Sequence, residues 1–582
     1  MNESNSIRQE IVRWLAAALP LDEPQVDALL AVPPSADMGD YAFPCFALAR
    51  GMRKNPADIA AELAAKFSPT SGVTRAQAAG AYLNFSVDRP LMAATLLGRI
   101  HEQGERYGTS DLGAGKTIVI DYSSPNIAKH LGVHHLRSAI IGRALYRLLE
   151  AQGYRVVGIN HLGDWGTSFG KLIAAFERQS DVKPETATVS DLQELYVRFS
   201  AEAEGRPELE DEARRAFQRL EAGDKKASKL WQRFRDVSLA EFSRIYEMLG
   251  IRFDKVTGES YYVPAVPAML ARMQKAGITQ VSEDALIVPL DEYDMPPFML
   301  RKSDETSLYA TRDVCAALDR WEEYGFERCL YVVGSEQKLH FRQLRKVLEL
   351  MGLDWAERIE HIEFGLLKFK DEATGRARKG STRRGDMVLL EDVLRDGIEK
   401  AREKIRQNVE KLDEGADLDE LAAQIGIGAV VFSDLSVKRT KDVLFEWDRM
   451  LDFEGDTGPY VQYAHARLSS ILRKAAEDVS PGADCARLEL AEEWALVRAL
   501  EGYPAALALA AESREPSVVA HYLLDLCAHF SAYYSAGMRE PAQRVLCEDA
   551  SVRAARLLLV DAVRHVISTG LRLLGMAAPQ RM

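Results

Sequence analysis

The chain has 582 residues, too many for one hydrophobic core and enough for three to four domains at ~150 residues each. It is 47% hydrophobic and 28% charged, as globular proteins are; no apolar run approaches the roughly 20 residues of a membrane span, and the six cysteines form neither a CxxC pair nor a zinc spacing. The net charge of −13 argues against a general nucleic-acid binder and leaves room for a local basic track.

The opening Met1-Asn-Glu-Ser-Asn-Ser6 has no basic-then-apolar signal pattern, so a cytoplasmic protein is expected. Residues 1–113 read as a first α/β unit. A helical pattern runs from Ile7 to Leu19 and breaks at Pro33-Pro34. The turn Gly39-Asp-Tyr-Ala42 and an amphipathic helix from Pro44 to Met52 follow. Ala81-Tyr-Leu-Asn-Phe-Ser86 alternates as a strand does. Residues 114–392 alternate short apolar runs with helical patterns, which predicts a doubly wound parallel sheet. Its strands are expected at Ile118–Ile120, Val156–Ile159, Ala285–Val288 and Leu330–Val333. A charged helical stretch over about 181–250 reads as an insertion between the two halves of that fold. Residues 393–582 have a 3.6-residue period without sustained heptads and predict a helical bundle.

The run Asp121-Tyr-Ser-Ser-Pro-Asn-Ile-Ala-Lys-His-Leu-Gly-Val-His-His-Leu-Arg-Ser138 carries the most chemistry. It joins a strand to a helix expected from about Leu136 to Leu149. Backbone N–H groups at such a helix start, together with the helix dipole, favour a phosphate. Imidazoles there donate to a phosphate as charge develops. Asn160-His-Leu-Gly-Asp-Trp-Gly-Thr-Ser-Phe-Gly170 places three glycines in a strand-to-helix loop, which indicates close backbone approach to a ligand. Tyr309 and Asp313 are four apart and share a helical face. Gly375-Arg-Ala-Arg-Lys-Gly-Ser-Thr-Arg-Arg-Gly385 is a cationic, glycine-flanked loop with affinity for phosphate. Asp456-Thr-Gly-Pro-Tyr-Val-Gln-Tyr-Ala-His-Ala-Arg-Leu468 opens a helix on which Tyr463 and Arg467 share a face, able to meet an unstacked base together.

These motifs, in this order, resemble those of arginyl-tRNA synthetases, a class I family. The resemblance covers nearly the whole chain. In that family the first signature reads A-K-x-x-H-V-G-H-L-R-S; here it is Ala128-Lys-His-Leu-Gly-Val-His-His-Leu-Arg-Ser138. The usual first His is Gly132, the usual Gly is His134, and the last imidazole, His135, is kept. The missing imidazole is replaced by His130 or by His134, and the sequence leaves both open. Lys379-Gly-Ser-Thr-Arg-Arg-Gly385 resembles the second signature, with Gly380 for the usual Met.

The resemblance implies a Rossmann-like catalytic domain over 114–392, an N-terminal tRNA-recognition domain over 1–113 and an all-α anticodon-binding domain over 393–582. The implied reaction is ATP-dependent activation of arginine and transfer to the terminal adenosine of tRNA-Arg, with Mg²⁺ accompanying ATP and a monomeric enzyme. His135, His134, Lys129, Lys379, Ser381 and Arg383 are the implied catalytic residues. Gly132, His135, Gly163, Lys379 and Arg383 would line ATP. Lys129 is included because some family members use a lysine before the first signature in place of the second-signature lysine. Ser124, Asn126, Glu259, Tyr309, Asp313 and Gln337 would hold arginine, since a guanidinium needs carboxylates. Asn84, Tyr463, Arg467 and Met582 would contact tRNA. Two rivals stand beside this reading. One is a synthetase-like tRNA-binding paralogue without activation, supported by the Gly132/His134 change. The other is a different nucleotidyl transferase on the same nucleotide fold.

Overall fold

The computed structural model describes residues 7–35, 38–178, 182–301, 309–370, 377–379, 388–407 and 417–582; of Tyr309, Lys370 and 377–379 it describes the backbone alone. The expected second-signature residues Ser381 and Arg383 lie outside the described residues, as do the side chains of Lys379 and Tyr309. Two compact units result. One comprises 1–107, 467–503 and 525–567, the other 108–466, 504–524 and 568–582.

In the first unit, β1 (Tyr41–Pro44), β2 (Val73–Ala79) and β3 (Tyr82–Val87) form an antiparallel sheet in the order β1-β3-β2. Leu83, Phe85 and Val87 alternate on β3 and pack with Ile11, Val12 and Leu15 of the helix Ile7–Ala18, and with Ile59 and Leu63 of the helix Pro56–Lys66. Burying Phe85 fully contributes roughly 1.5–3 kcal/mol. Asp40 of the Gly39–Ala42 turn accepts from the Val87 amide (2.9 Å) and from Arg89 (3.0 Å), which ties the turn to the end of β3. The expected helix from Pro44 begins instead at Phe46, because residues 41–44 pair with β3.

The second unit is built on five parallel strands: β4 (Thr117–Asp121), β5 (Arg155–Leu162), β6 (Lys255–Gly258), and then, after a separate sheet, β10 (Arg328–Gly334) and β11 (Ile359–Phe364). Their order is β11-β10-β4-β5-β6, so the chain winds outward one way from β4 and then returns to the other side. This is the doubly wound arrangement, and its switch point lies between β4 and β10, where the carboxyl ends of the strands leave a crevice. Val119, Val157, Ile159, Cys329, Tyr331 and Ile359 line one face. They pack against Met269 and Met273 of the helix Val266–Lys275, Val314 and Ala317 of the helix Tyr309–Tyr324, and Leu344 and Val347 of the helix Lys338–Leu350.

Three readings are corrected here. Ala285–Val288 is a strand but not of the parallel sheet; as β8, with β7 (Gln280–Ser282) and β9 (Phe298–Arg301), it forms an antiparallel sheet of its own. The inserted helices Val189–Ala203, Pro207–Glu221 and Lys225–Met248 lie between β5 and β6, within the first half of the fold. The region beyond 393 is not wholly helical. β14 (Val443–Phe445) pairs in parallel with β12 (Leu367–Lys370), which pairs on its other side with β13 (Ala377–Lys379).

Candidate active site

The loop leaving β4 is strained and heavily tied. Ser123 and Ser124 have φ of 70° and 47°, and Ala128 has 61°, a left-handed region that costs non-glycine residues energy and persists where surrounding bonds fix it. Ser123 donates its amide to Ser138 Oγ (2.9 Å), which donates to the Val332 carbonyl of β10 (2.6 Å). Ser124 Oγ donates to Asp121 (2.5 Å), and the Ser124 amide donates to Asn160 Oδ1 at the end of β5 (3.2 Å). Asp121 is buried against Arg320 (2.7 Å) of the helix from Tyr309. Asn126 forms a parallel bridge with Gly163, with Gly163 N to Pro125 O at 3.0 Å and Ile127 N to Gly163 O at 3.2 Å. A Cβ on Gly163 would stand 1.8 Å from Asn126 Oδ1, so glycine there makes room for the Asn126 side chain. The first two motifs therefore meet at the crevice.

The second motif also shapes the turn after β6. Asp164 is buried and accepts from the Ser260 amide and hydroxyl, both at 2.8 Å; a Cβ on Gly258 would lie 2.2 Å from its carboxylate. Between those anchors stands Glu259. Its carboxylate receives Arg312 through Nη2 (2.7 Å) and Nε (3.0 Å). Burial pushes the Glu259 carboxyl up to about 7, Arg312 opposing and neighbouring Asp313 assisting. Asp313, next along the same helix, contacts His340 Nε2 at 2.8 Å. Glu259 and Asp313 thus share one electrostatic neighbourhood, and the backbone of Tyr309 begins the helix that carries Asp313. Gln337 ends the turn Ser335–Gln337 after β10 and is exposed at the same carboxyl edge of the sheet.

The signature histidines are sorted by their partners. His130 has both ring nitrogens engaged, with Glu241 (2.8 Å) and Ser190 (3.0 Å) of the inserted helices, and Glu241 raises its pKa. His134 is exposed at the N-cap of the helix His135–Ala151 with no side-chain cap bond, and its ring lies 4.0 Å from that of His135. His135 Nδ1 faces the Gly132 carbonyl at 3.2 Å. Burial, with His134 adding to it, holds His135 down to about 3, so the ring is neutral at pH 7. A neutral ring donating Nδ1–H to Gly132 presents Nε2 as an acceptor. It gains a second N–H only by taking up a proton, which an arriving polyphosphate favours.

Gly132 pairs antiparallel with Leu389: Val133 N to Val388 O is 2.9 Å and Leu390 N to Leu131 O is 2.8 Å. Residues 388–390 come three to five residues after Gly385, and backbone bonds join them to Leu131–Val133. The backbone of Lys379 pairs with Lys368. Lys129 is exposed, its ammonium 5.3 Å over the ring of Tyr196, and it lines a pocket with Asn126, Gly163, Trp165 and Ser168.

Three family models match the chain in succession: arginyl tRNA synthetase N terminal domain over residues 5–87, tRNA synthetases class I (R), catalytic domain over 97–447, and DALR anticodon binding domain over 461–582. The arginine–tRNA ligases of Clostridium perfringens and Clostridioides difficile are 46% and 44% identical over 565 and 563 residues, 97% of each chain in both cases. The chain belongs to the arginyl-tRNA synthetase family. The solved arginyl-tRNA synthetase of Thermus thermophilus superposes with a TM-score of 0.80 at 28% identity, covering 99% of this chain and 100% of that one. The fold is therefore the family's, with a Rossmann-like catalytic domain and a C-terminal helical anticodon-binding domain.

The residues expected at tRNA are carried by other elements. Asn84 is 7% exposed on β3, its Oδ1 without a hydrogen-bond partner among the described residues. Tyr463 and Arg467 are half-buried on the helix Gly458–Ala475, and the Arg467 guanidinium lies 4.6 Å over the Tyr534 ring. On the same helix Gln462 donates to the Ala577 carbonyl (3.0 Å) and His465 Nδ1 meets the Pro579 carbonyl (2.9 Å), which pins the segment leading to Met582. Sequence reasoning did not single out Asp121, Asn160, His161, Arg312, Arg320 or His340. Asp121, Asn160 and His161 sit inside quoted motifs and Arg312 beside Asp313, but their contacts depend on partners up to 199 residues away.

Proposed function

We propose that the chain is an arginine–tRNA ligase that joins arginine to ATP, releasing pyrophosphate, and passes the arginyl group to the terminal adenosine of tRNA-Arg, releasing AMP. The observation that carries this is Glu259 sharing one electrostatic neighbourhood with Asp313 at the carboxyl ends of the sheet that also carries the Ser124–Asn126 loop, which is bonded to Asn160 and Gly163. Glu259 already receives one guanidinium, that of Arg312. Arginine would place its guanidinium by Glu259, Tyr309 and Asp313. Its α-amino and carboxylate groups would lie toward Ser124 and Asn126, with Gln337 at the edge. The carboxylate then attacks the α-phosphate in line with pyrophosphate departure. His135, protonated against the polyphosphate, stabilises charge there, and Lys379, Ser381 and Arg383 hold the leaving group. Lys129 would share that load by leaving Tyr196.

The altered first signature works in this reading because Gly132 serves through its backbone pairing and His135 remains in place. His130 is committed to Glu241 and Ser190, so it does not replace the missing imidazole. No group of three or more His, Cys, Asp or Glu side chains among the described residues is placed to hold a metal ion; Mg²⁺ would enter on the triphosphate. No helix among them is long and apolar enough to cross a membrane. We read the enzyme as cytoplasmic and monomeric. The test is charging of tRNA-Arg with labelled arginine and ATP. Charging establishes the ligase, and none with cognate tRNA would establish the inactive-paralogue reading.

A further inference from the structure

Val157, Ile159 and His161 lie on one face of β5. The first two are in the core; His161 continues the row to the strand end, in register with Thr257, two residues before Glu259. Its ring stacks on Tyr262 at 5.6 Å, and Tyr262 closes the short helix that Glu259 opens. Both ring nitrogens are buried, and neither has a hydrogen-bond partner among the described residues. The charges facing the ring come from three directions: Asp121 on β4, Asp164 in the loop after β5, and Asp313 and Arg320 on the helix from Tyr309. Burial lowers the pKa of the imidazole and keeps it uncharged.

A buried imidazole with two unpaired nitrogens is costly to keep, and groups of this kind concentrate where a ligand completes them. A guanidinium brings five N–H donors and no acceptor. Of the two carboxylates in this pocket, Glu259 already accepts from Arg312 and Asp313 already meets His340. Each is engaged through one oxygen, Oε2 and Oδ2, so Oε1 and Oδ1 remain for a guanidinium, and an uncharged ring nitrogen supplies a third acceptor without adding charge. We propose that His161 is a substrate-contacting specificity residue whose imidazole accepts an N–H from the arginine guanidinium beside Asp313. This rests on the ligase reading above.

The test begins with the unaltered enzyme, whose charging of tRNA-Arg decides the ligase reading by itself. His161→Leu should then raise the arginine KM about 10- to 100-fold, as loss of one hydrogen bond to a charged group does. It should raise the inhibition constant of butylguanidine, which keeps the guanidinium and lacks the α-groups, by a similar factor. His161→Gln, which retains an acceptor, should stay within about threefold of the parent on the same principle. The ATP KM and the melting midpoint should not move. An unchanged arginine KM in folded His161→Leu overturns the proposal. So does an unchanged butylguanidine constant, or an equal rise in the arginine and ATP KM values. Should the leucine variant fail to fold, the ¹⁵N spectrum of histidine-labelled parent enzyme decides. Butylguanidine should shift a buried imidazole nitrogen that is absent from the His161→Gln spectrum, and no such shift overturns the proposal.

Discussion

In the proposed reading Glu259 and Asp313 would face the same cationic end of the substrate, but they differ in what holds them, so they should respond differently to change. Asp313→Asn keeps its shape and loses its charge, so arginine binding or transition-state stabilisation should fall by roughly 2–4 kcal/mol. Arginine KM and kcat in the charging assay measure this, and unchanged values would remove Asp313 from the pocket. Glu259 carries a pH signature. Its carboxyl is pushed up to about 7 by burial. The ionised form attracts a guanidinium and the protonated form does not. Arginine KM should therefore be lowest above pH 7 and rise as the pH falls toward 6. The ATP KM is the control, and Glu259→Gln should flatten the arginine profile. Burial holds His135 down to about 3, and in the proposed mechanism its Nε2 gains a proton, and so a second N–H, against the polyphosphate. His135→Ala should slow activation by about 10²–10³-fold, as loss of a transition-state donor does. Full activity in ATP–pyrophosphate exchange, run with tRNA present, would show that another group does this work.

The helix His135–Ala151 begins within the motif Ala128–Ser138, and its hold on the rest of the unit is electrostatic as well as apolar. Arg137 pairs with Asp434 of the helix Leu418–Leu435 at 2.8 Å, both side chains 1% exposed, and donates to the Lys441 carbonyl (2.9 Å). Burial raises the Asp434 pKa against the opposing pull of Arg137. Removing one member of such a pair leaves a buried charge, so Arg137→Met should cost about 3–5 kcal/mol of stability. Pairing it with Asp434→Leu should recover most of that loss; denaturant midpoints of the two variants decide. The elements themselves were unequally legible. β4 and β10 stood out because interior parallel strands are nearly continuous apolar runs: Ile118-Val-Ile120 and Leu330-Tyr-Val-Val333. β6 and β11 are the sheet edges, and Lys255-Val-Thr-Gly258 and Ile359-Glu-His-Ile-Glu-Phe364 carry polar residues that hid them. Ala285–Val288 is apolar enough to be read as a strand, but apolarity does not encode a partner, and it pairs with β7 and β9. In the site, motif glycines and carboxylates were readable from local spacing. The Glu259–Arg312 and Asp313–His340 contacts were not, because they depend on how separate helices pack.

At the scale of the molecule, activation and tRNA recognition call on different parts of one chain. In the proposed reading activation uses the carboxyl ends of β10, β4, β5 and β6, between Asp121 and Leu390. The family's anticodon-binding model spans 461–582. The helix Gly458–Ala475, which leads into that span, organises its neighbours through polar side chains on its buried face. Gln462 reaches both the Gln424 carbonyl (3.0 Å) and the Ala577 carbonyl (3.0 Å), and His465 reaches Pro579 (2.9 Å). These bonds fix the path of the segment before Met582, which the family resemblance places at the anticodon. The double substitution Gln462→Leu with His465→Phe keeps bulk and removes those bonds. Each bond is worth about 0.5–1.5 kcal/mol, so their combined loss should loosen the segment and raise the tRNA KM roughly tenfold. Arginine and ATP bind elsewhere in this reading, so their KM values should stay at parent levels. Charging kinetics with each substrate varied in turn separate the cases. A selective rise in the tRNA KM places the segment in tRNA recognition. Parallel rises in all three constants would instead mean that the segment supports the whole fold.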